Sequence, residues 1–201
     1  MKYKRINIEE IIKYLYINLN KNKFKHSIDT SIIASNIALK NNCDIFKVKI
    51  ASLLHDCSKF MTHEELVFFL KKFSNYSLKK IENMYKFSPY LLHSCVSEII
   101  AKKKFNVSDV NILNAIKNHT VCRKNMTDIE KIVFISDYIS HYKNEYLEII
   151  FNFFDYKLND IFLNIFSKKI KNIVENLKCL SEQSINVWNW YVLKDKKIEK
   201  H

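Results

Sequence analysis

The 201-residue chain contains no glycine and a single proline. Without glycine, neither the phosphate loop of P-loop proteins nor the dinucleotide fingerprint of Rossmann folds can be built, because both need backbone that no side chain crowds. Glycine also normally supplies positive φ at turns and helix ends. Asparagine, the next most tolerant residue of the left-handed region, is expected to stand in for it. Asn22, Asn41, Asn42, Asn75, Asn106 and Asn125 fall where turns are expected. Nothing marks a domain boundary, so residues 1–201 read as one domain. Its core is expected over 8–193, with a frayed, disordered tail over 194–201.

Long apolar runs are also missing. No stretch approaches the ~18 residues of a membrane span. The N-terminal "MKYKRINIEEIIKYLYINL" is broken by charges and has no small-residue cleavage site, so no signal peptide is read. A cytoplasmic location without membrane contact is expected. The five cysteines are an odd number without CxxC spacing, which argues for free thiols. Cys57, Cys95 and Cys122 lie close to histidines, yet their spacings fit no structural zinc pattern, and they read as small packed residues. Lys+Arg 33 against Asp+Glu 21 gives a net charge of +12, which favours an anionic partner. The abundance of Lys, Asn and Ile points equally to base-composition bias. No stacking aromatics interleave with a basic stripe, so nucleic acid is not an expected partner.

What is present is helical periodicity. Ile8, Ile11, Ile12, Leu15 and Leu19 form one apolar stripe; Ile28, Ile32, Ile33 and Ile37 form a second; Phe46, Ile50, Leu53 and Leu54 form a third. Thr62 with Glu65, and Thr127 with Glu130, are capping boxes. Ser88-Pro89 reads as an N-cap and first-turn proline, and Ser108 or Asp109 should cap "VNILNAIKNH". The stretch from Tyr142 to Leu193 is helical in pattern too, and no period-2 strand is convincing. The fold class is all-α, with about nine or ten helices.

Four of the seven histidines share a context. His26 opens a helix in "KFKHS", His55 ends one in "ASLLHDCSK", His93 opens one in "YLLHSC", and His119 ends one in "IKNHTVCR". Helix ends gather at one side of a bundle, so these imidazoles can converge with Asp56 and with Asp137 of "FISDYIS". His63 and His201 read as solvated. Imidazole and carboxylate together suit iron, manganese or zinc. Six such ligands exceed one tetrahedral site and suffice for two metals sharing a carboxylate, the arrangement that activates water for phosphoryl chemistry. Lys59 and Arg123 could then hold phosphate oxygens.

In the order and spacing of these pieces the chain resembles the HD-domain superfamily of metal-dependent phosphohydrolases, and within it the YqeK family of symmetrical diadenosine-tetraphosphate hydrolases. The similarity runs from about Ile8 to Trp190, and the most specific stretch is "ILNAIKNHTVCRKNMTDIEKIVFISDYIS". The resemblance implies an HD-domain helical bundle. It implies that His26, His55, Asp56 and Asp137 bind one metal, and that Asp56 bridges to a second held by His93 and His119. The metals would be divalent, iron foremost, with manganese, cobalt or zinc as alternatives. Asp56, Lys59 and Arg123 would be catalytic, and Lys59, Thr120 and Arg123 would contact substrate. The implied reaction is hydrolysis of diadenosine tetraphosphate at its middle anhydride to two ADP, by a hydroxide activated between the metals. Expected partners are a dinucleoside polyphosphate and, as an open alternative, a second copy of the chain.

Several positions depart from the family pattern. Ser52 and Ser94 stand where the family has glycine. "HTTGR" is here "HTVCR", with Val121 and Cys122, and the "ADYIEP" segment is "SDYISH", which places Ser140 and His141 at its Glu-Pro pair. Lys23 replaces an arginine. These changes bear on substrate fit and rate more than on metal binding. They keep two further readings open: an HD phosphohydrolase of another nucleotide, and a nucleotide-binding protein with reduced activity.

Overall fold

A computed structural model describes residues 6–87, 89–141 and 157–198. Among them are ten α-helices, one 3-10 turn and no strand, the all-α class expected. The helices are α1 (Ile8–Asn18), α2 (Lys21–Lys40), α3 (Ile45–Leu54), α4 (His63–Phe73), α5 (Leu78–Phe87), α6 (Leu92–Lys104), α7 (Val110–Asn118), α8 (Asp128–His141), α9 (Leu158–Glu175) and α10 (Glu182–Ile198). The 3-10 turn, Pro89–Leu91, leads into α6. No helix among the described residues is long and apolar enough to cross a membrane. The Ser88 cap and the helical pattern over 142–156 fall outside the described residues.

Local chemistry explains the helix starts. Asn7, Asn20, Asp44 and Asp109 each accept first-turn N–H groups with their side chains. The Thr62–Glu65 box is reciprocal, as the pattern requires. Asn20, rather than a turn at Asn22, begins α2, so His26 lies inside that helix in its second turn instead of opening it. The three apolar stripes hold only in part. Ile11, Leu15, Ile33, Ile50, Leu53 and Leu54 are buried, whereas Ile32 and Phe46 face water because each sits on the outer side of its helix. At the far end α10 continues through Ile198, past Leu193, where the sequence suggested a tail.

Helix ends show how a chain without glycine turns. Asn42, Asn106 and Asn125 carry positive φ, as asparagine's tolerance predicts. At the end of α2, the Cys43 N–H returns to the Ala38 carbonyl across Asn42, a Schellman closure. The same closure ends α9, with the Lys178 N–H on the Ile173 carbonyl, but the left-handed residue there is Leu177 at φ 53°. Cys122 is likewise left-handed, at φ 61°.

α8 is the axis of the bundle: between Ile129 and Ser140 only Lys131 is not buried. It packs against α2, α3, α7 and α9. α9 is fastened to it by aromatic edges, Phe134 to Phe162 at 5.4 Å and to Phe166 at 5.9 Å, and Tyr191 of α10 closes on Phe162 at 5.0 Å. Such pairs add about 0.5–1.5 kcal/mol each beyond their burial. The result places the C-terminal ends of α3, α7 and α8 beside the second turn of α2 and the start of α6.

Candidate metal centre

Four imidazoles and two carboxylates meet where those helices converge. His55 caps α3 and His119 caps α7, both still in helical backbone geometry. That geometry lets each ring bond back three residues. His55 Nδ1–H donates to the Ser52 carbonyl at 2.6 Å, and His119 Nδ1–H donates to the Ile116 carbonyl at 2.7 Å. His26 Nδ1–H donates to Ser140 Oγ at 2.9 Å; that hydroxyl accepts from Thr30 and donates to the Asp137 carbonyl. With Nδ1 held in these three rings, Nε2 is presented inward, the usual way a protein fixes a ligating histidine.

Asp56 lies at the centre. Its Oδ2 is 3.2 Å from His55 Nε2 and 3.6 Å from His26 Nε2, and its Oδ1 is 3.2 Å from His93 Nε2 and 3.4 Å from His119 Nε2. Asp137 Oδ1 joins the first pair, 3.2 Å from His26 and 3.5 Å from His55. Two ligand groups result, His26–His55–Asp56–Asp137 and Asp56–His93–His119, the ligand atoms of each lying within 4.8 Å of one another. The turn after α3 is pinned to α6, which keeps Asp56 and His93 together: Ser58 Oγ donates to the His93 carbonyl at 2.8 Å, and the Ser58 N–H donates to Ser97 Oγ.

The cluster is buried and electrostatically coupled. Burial alone would lower His55, but the Asp56 charge and hydrogen bonds with Asp137 and Asp56 overcome it and raise the imidazole to about 10. Burial works the other way on Asp56, yet the His55 charge and the imidazoles of His119, His55 and His93 packed around it hold it well below the usual carboxylate range. Asp137 is held low too, against burial, by the Lys169 charge and by His26 and His55. His119 is pushed down to about 4, chiefly by burial, and burial also lowers His26 and His93. The cluster by itself therefore carries one imidazolium between two carboxylates.

Asp56 Oδ1 is buried and accepts no well-aligned hydrogen bond, although two Nε2 atoms face it. A buried carboxylate oxygen so placed fits a cation shared with His93 and His119. The donor set as a whole, imidazole nitrogen with carboxylate oxygen, suits divalent transition metals. No cysteine belongs to either group. Cys57, Cys95 and Cys122 are free and buried, in agreement with the packing role read from their spacing.

The remaining expected site residues divide. Lys59 Nζ is 2.7 Å from Asp56 Oδ2 at the mouth of the cluster. Thr120 lines a cavity that Asp137 also lines. Arg123 is engaged elsewhere. Its guanidinium grips the carboxylate of buried Glu130 with two bonds of 2.6 Å, and Glu130 also accepts from Thr127 and Asn118. The arginine thus closes the turn between α7 and α8, and the cap expected at Thr127–Glu130 is part of the same network.

Two participants escaped the sequence reading. Lys169 Nζ sits 3.1 Å from Asp137 Oδ2 and 4.2 Å from the centre of the Phe134 ring, yet it is one lysine in the run "SKKIKN", and no spacing singles it out. Ser140 read as the loss of a carboxylate. It does the orienting work itself, and its position three residues beyond Asp137 on one helix was the available signal.

Comparison with known proteins agrees with this geometry. The HD domain family model matches residues 24–142, which include all six clustered histidines and aspartates. The chain is 28% identical over 134 residues to the symmetrical bis(5'-nucleosyl)-tetraphosphatase of Bacillus subtilis (strain 168), covering 67% of this chain and 69% of that protein. It is 30% identical over 134 residues to the Staphylococcus aureus protein of the same name, covering 67% and 66%. A crystal structure from Clostridium acetobutylicum, described as a predicted HD superfamily hydrolase involved in NAD metabolism, superposes with a TM-score of 0.78 at 29% identity. It covers 94% of this chain and 98% of that one. With the helical bundle, the clustered histidines and aspartates and this match over more than half its length, the chain belongs to the HD-domain family.

Proposed function

We infer that the chain is a metal-dependent hydrolase that cleaves diadenosine tetraphosphate symmetrically to two ADP. The observation that carries this reading is the Asp56 carboxylate, buried with each oxygen against a different pair of imidazole Nε2 atoms. The names of the Bacillus and Staphylococcus relatives support the substrate. His26, His55, Asp56 and Asp137 would hold one divalent metal, and Asp56, His93 and His119 a second, with iron the leading candidate. Bound there, the metals would supply Lewis acidity and an acidified water.

The chain's own groups do the rest. The Nδ1 hydrogen bonds to Ser52, Ile116 and Ser140 fix ring orientation before any ligand arrives. Lys59, partly exposed beside Asp56, offers positive charge to a phosphate that enters the cluster's mouth. Thr120 lines the cavity on which Asp137 also borders. Arg123 carries no role in this reading, since Glu130 occupies it. Overall, one P–O bond forms from water, the central P–O–P linkage breaks, and two protons pass to solvent as both new terminal phosphates ionise at neutral pH.

The test is product analysis with diadenosine tetraphosphate, on protein purified without chelator and supplied with ferrous iron or manganese under low oxygen. Two ADP per substrate, absent with Asp56→Ala, is the expected result. A metal-loaded protein that yields no ADP, or an Asp56→Ala variant with full turnover, contradicts the reading.

A further inference from the structure

The turn between α7 and α8 is held from two sides. It begins at His119, whose Nε2 lies 3.4 Å from Asp56 Oδ1 and 3.2 Å from His93 Nε2, and it runs to Met126. Its backbone bends through two left-handed residues, Cys122 at φ 61° and Asn125 at φ 55°. Asparagine tolerates that conformation. Cysteine adopts it at a cost in free energy, because its Cβ crowds the following carbonyl oxygen. From the α8 side, the Arg123–Glu130 pair fixes the turn by its side chains. Two groups of its backbone are bonded instead to α10.

The Cys122 N–H donates to the Asn118 carbonyl at 2.9 Å, which ties it back to the end of α7. The Cys122 carbonyl accepts from Gln183 Nε2 at 2.6 Å, and Gln183 stands in the first turn of α10. The Met126 N–H donates to the Tyr191 hydroxyl oxygen at 2.9 Å, farther along the same helix. Met126 and Tyr191 are both buried, so water does not readily replace that bond. α10 has anchors of its own. Ser184, Val187 and Tyr191 recur on its buried face at helical spacing. Tyr191 closes on Phe162, and Trp188 meets Phe166 at 5.7 Å. The helix therefore reaches the turn from α9, as a support separate from Glu130.

We propose that α10 is a positioning element for the second metal group, with Gln183 and Tyr191 holding the turn that aims His119 at Asp56. The proposal rests on the two-metal reading above and names what keeps the second group in place. α10 lies outside residues 24–142, the part of the chain that matches the HD domain. Gln183 offsets the cost of the left-handed Cys122. Without that bond, Cys122 relaxes toward negative φ. Its N–H is tied to Asn118, the residue next to His119, so the rotation carries His119 Nε2 away from Asp56 Oδ1. The first group takes His26, His55 and Asp137 from α2, the end of α3 and α8, and none of them belongs to this turn. A merely structural role for α10 would lower stability and leave the ratio of the two metal affinities unchanged.

The experiment pairs two measurements. Manganese is titrated in competition with a chelating dye, with His119→Ala marking which affinity belongs to the second group. Amide hydrogen exchange of residues 119–126 is followed in the metal-free protein. Gln183→Met and Tyr191→Phe should each weaken the second group about tenfold or more and the first less than about twofold, and should speed exchange in the turn. Gln183 is exposed, so its variants leave the core intact even if Tyr191→Phe does not fold. Gln183→Glu keeps the side-chain length but cannot donate at pH 7.5, and should match Gln183→Met. Cys122→Gly separates positioning from packing. Glycine takes positive φ freely, so in that background Gln183→Met should cost the second group less than about threefold. Three results overturn the proposal: wild-type second-group affinity in Gln183→Met and Tyr191→Phe, equal weakening of both groups, or an undiminished effect of Gln183→Met beside Cys122→Gly. Wild-type protein that binds fewer than two ions would sink the two-metal reading alone. Exchange in the metal-free protein then decides the role of α10: faster exchange in Gln183→Met upholds it, and unchanged exchange overturns it.

Discussion

Metal binding to this cluster should expel a proton, and His55 determines how many leave. A ligating imidazole must be neutral. Three of the four imidazoles already are at pH 7.5, because burial lowers His26, His93 and His119. Both carboxylates are ionised there. His55 alone is protonated, because Asp56 and Asp137 outweigh its burial and raise it to about 10. Filling the His26–His55–Asp56–Asp137 group should therefore release about one proton, and filling the Asp56–His93–His119 group none. The sign follows directly. Raising pH toward the His55 value makes metal binding tighter, by about tenfold per pH unit, so roughly a hundredfold between pH 6.5 and 8.5. Calorimetric titration of manganese in two buffers of different ionisation enthalpy counts the protons. Asp56→Asn should cut the release, since it removes the charge that keeps His55 protonated. Affinity independent of pH over that range refutes the argument. Release of three or four protons would mean that burial does not keep the other imidazoles neutral.

Other outcomes follow from the same contacts. Leu177 is 95% exposed at positive φ, so Leu177→Gly should remove ~1–2 kcal/mol of backbone strain, partly offset by glycine's ~0.5–1 kcal/mol entropy in the unfolded chain. The expected gain, about 2 °C in melting temperature, should be absent in Leu177→Ala, which keeps the Cβ. Cys122→Gly relieves the same kind of strain at φ 61° but forfeits ~1 kcal/mol of thiol burial, so no gain is expected there. Arg123→Ala leaves buried Glu130 without its counter-charge. A cost of ~2–3 kcal/mol is expected by chemical denaturation, below the ~3–5 of a fully buried pair because the arginine is partly exposed. Ser140→Ala frees His26 Nδ1 and should weaken metal affinity by about 10-fold or more, measured by competition with a chelating dye.

Much of the molecule was legible as a string of residues. Apolar spacing places Ile11, Leu15, Ile50 and Leu54 in the core, and Thr62–Glu65 announces a helix start, because both signals act within one or two turns of chain. The glycine-free composition foretells left-handed asparagines at Asn42, Asn106 and Asn125 for the same local reason. The histidines and aspartates of the centre could be named in advance, since each sits at or near a helix end and the order of the motifs is specific. Ile32 and Phe46 show the limit: periodicity marks an apolar stripe but not which helix will cover it.

What tertiary structure decided is how these groups face one another. Only the packing of α2 and α3 against α6 and α7 puts one oxygen of Asp56 before His26 and His55 and the other before His93 and His119. Arg123 could as well have reached a phosphate as Glu130, and the buried carboxylate seven residues on claimed it, because an unpaired charge there would cost far more than a solvated guanidinium gains elsewhere. Lys169 meets Asp137 across 32 residues of chain, by way of the aromatic contacts that dock α9 on α8. Spacing along the chain encodes only short-range geometry, whereas the charge beside a carboxylate depends on which helices pack around it.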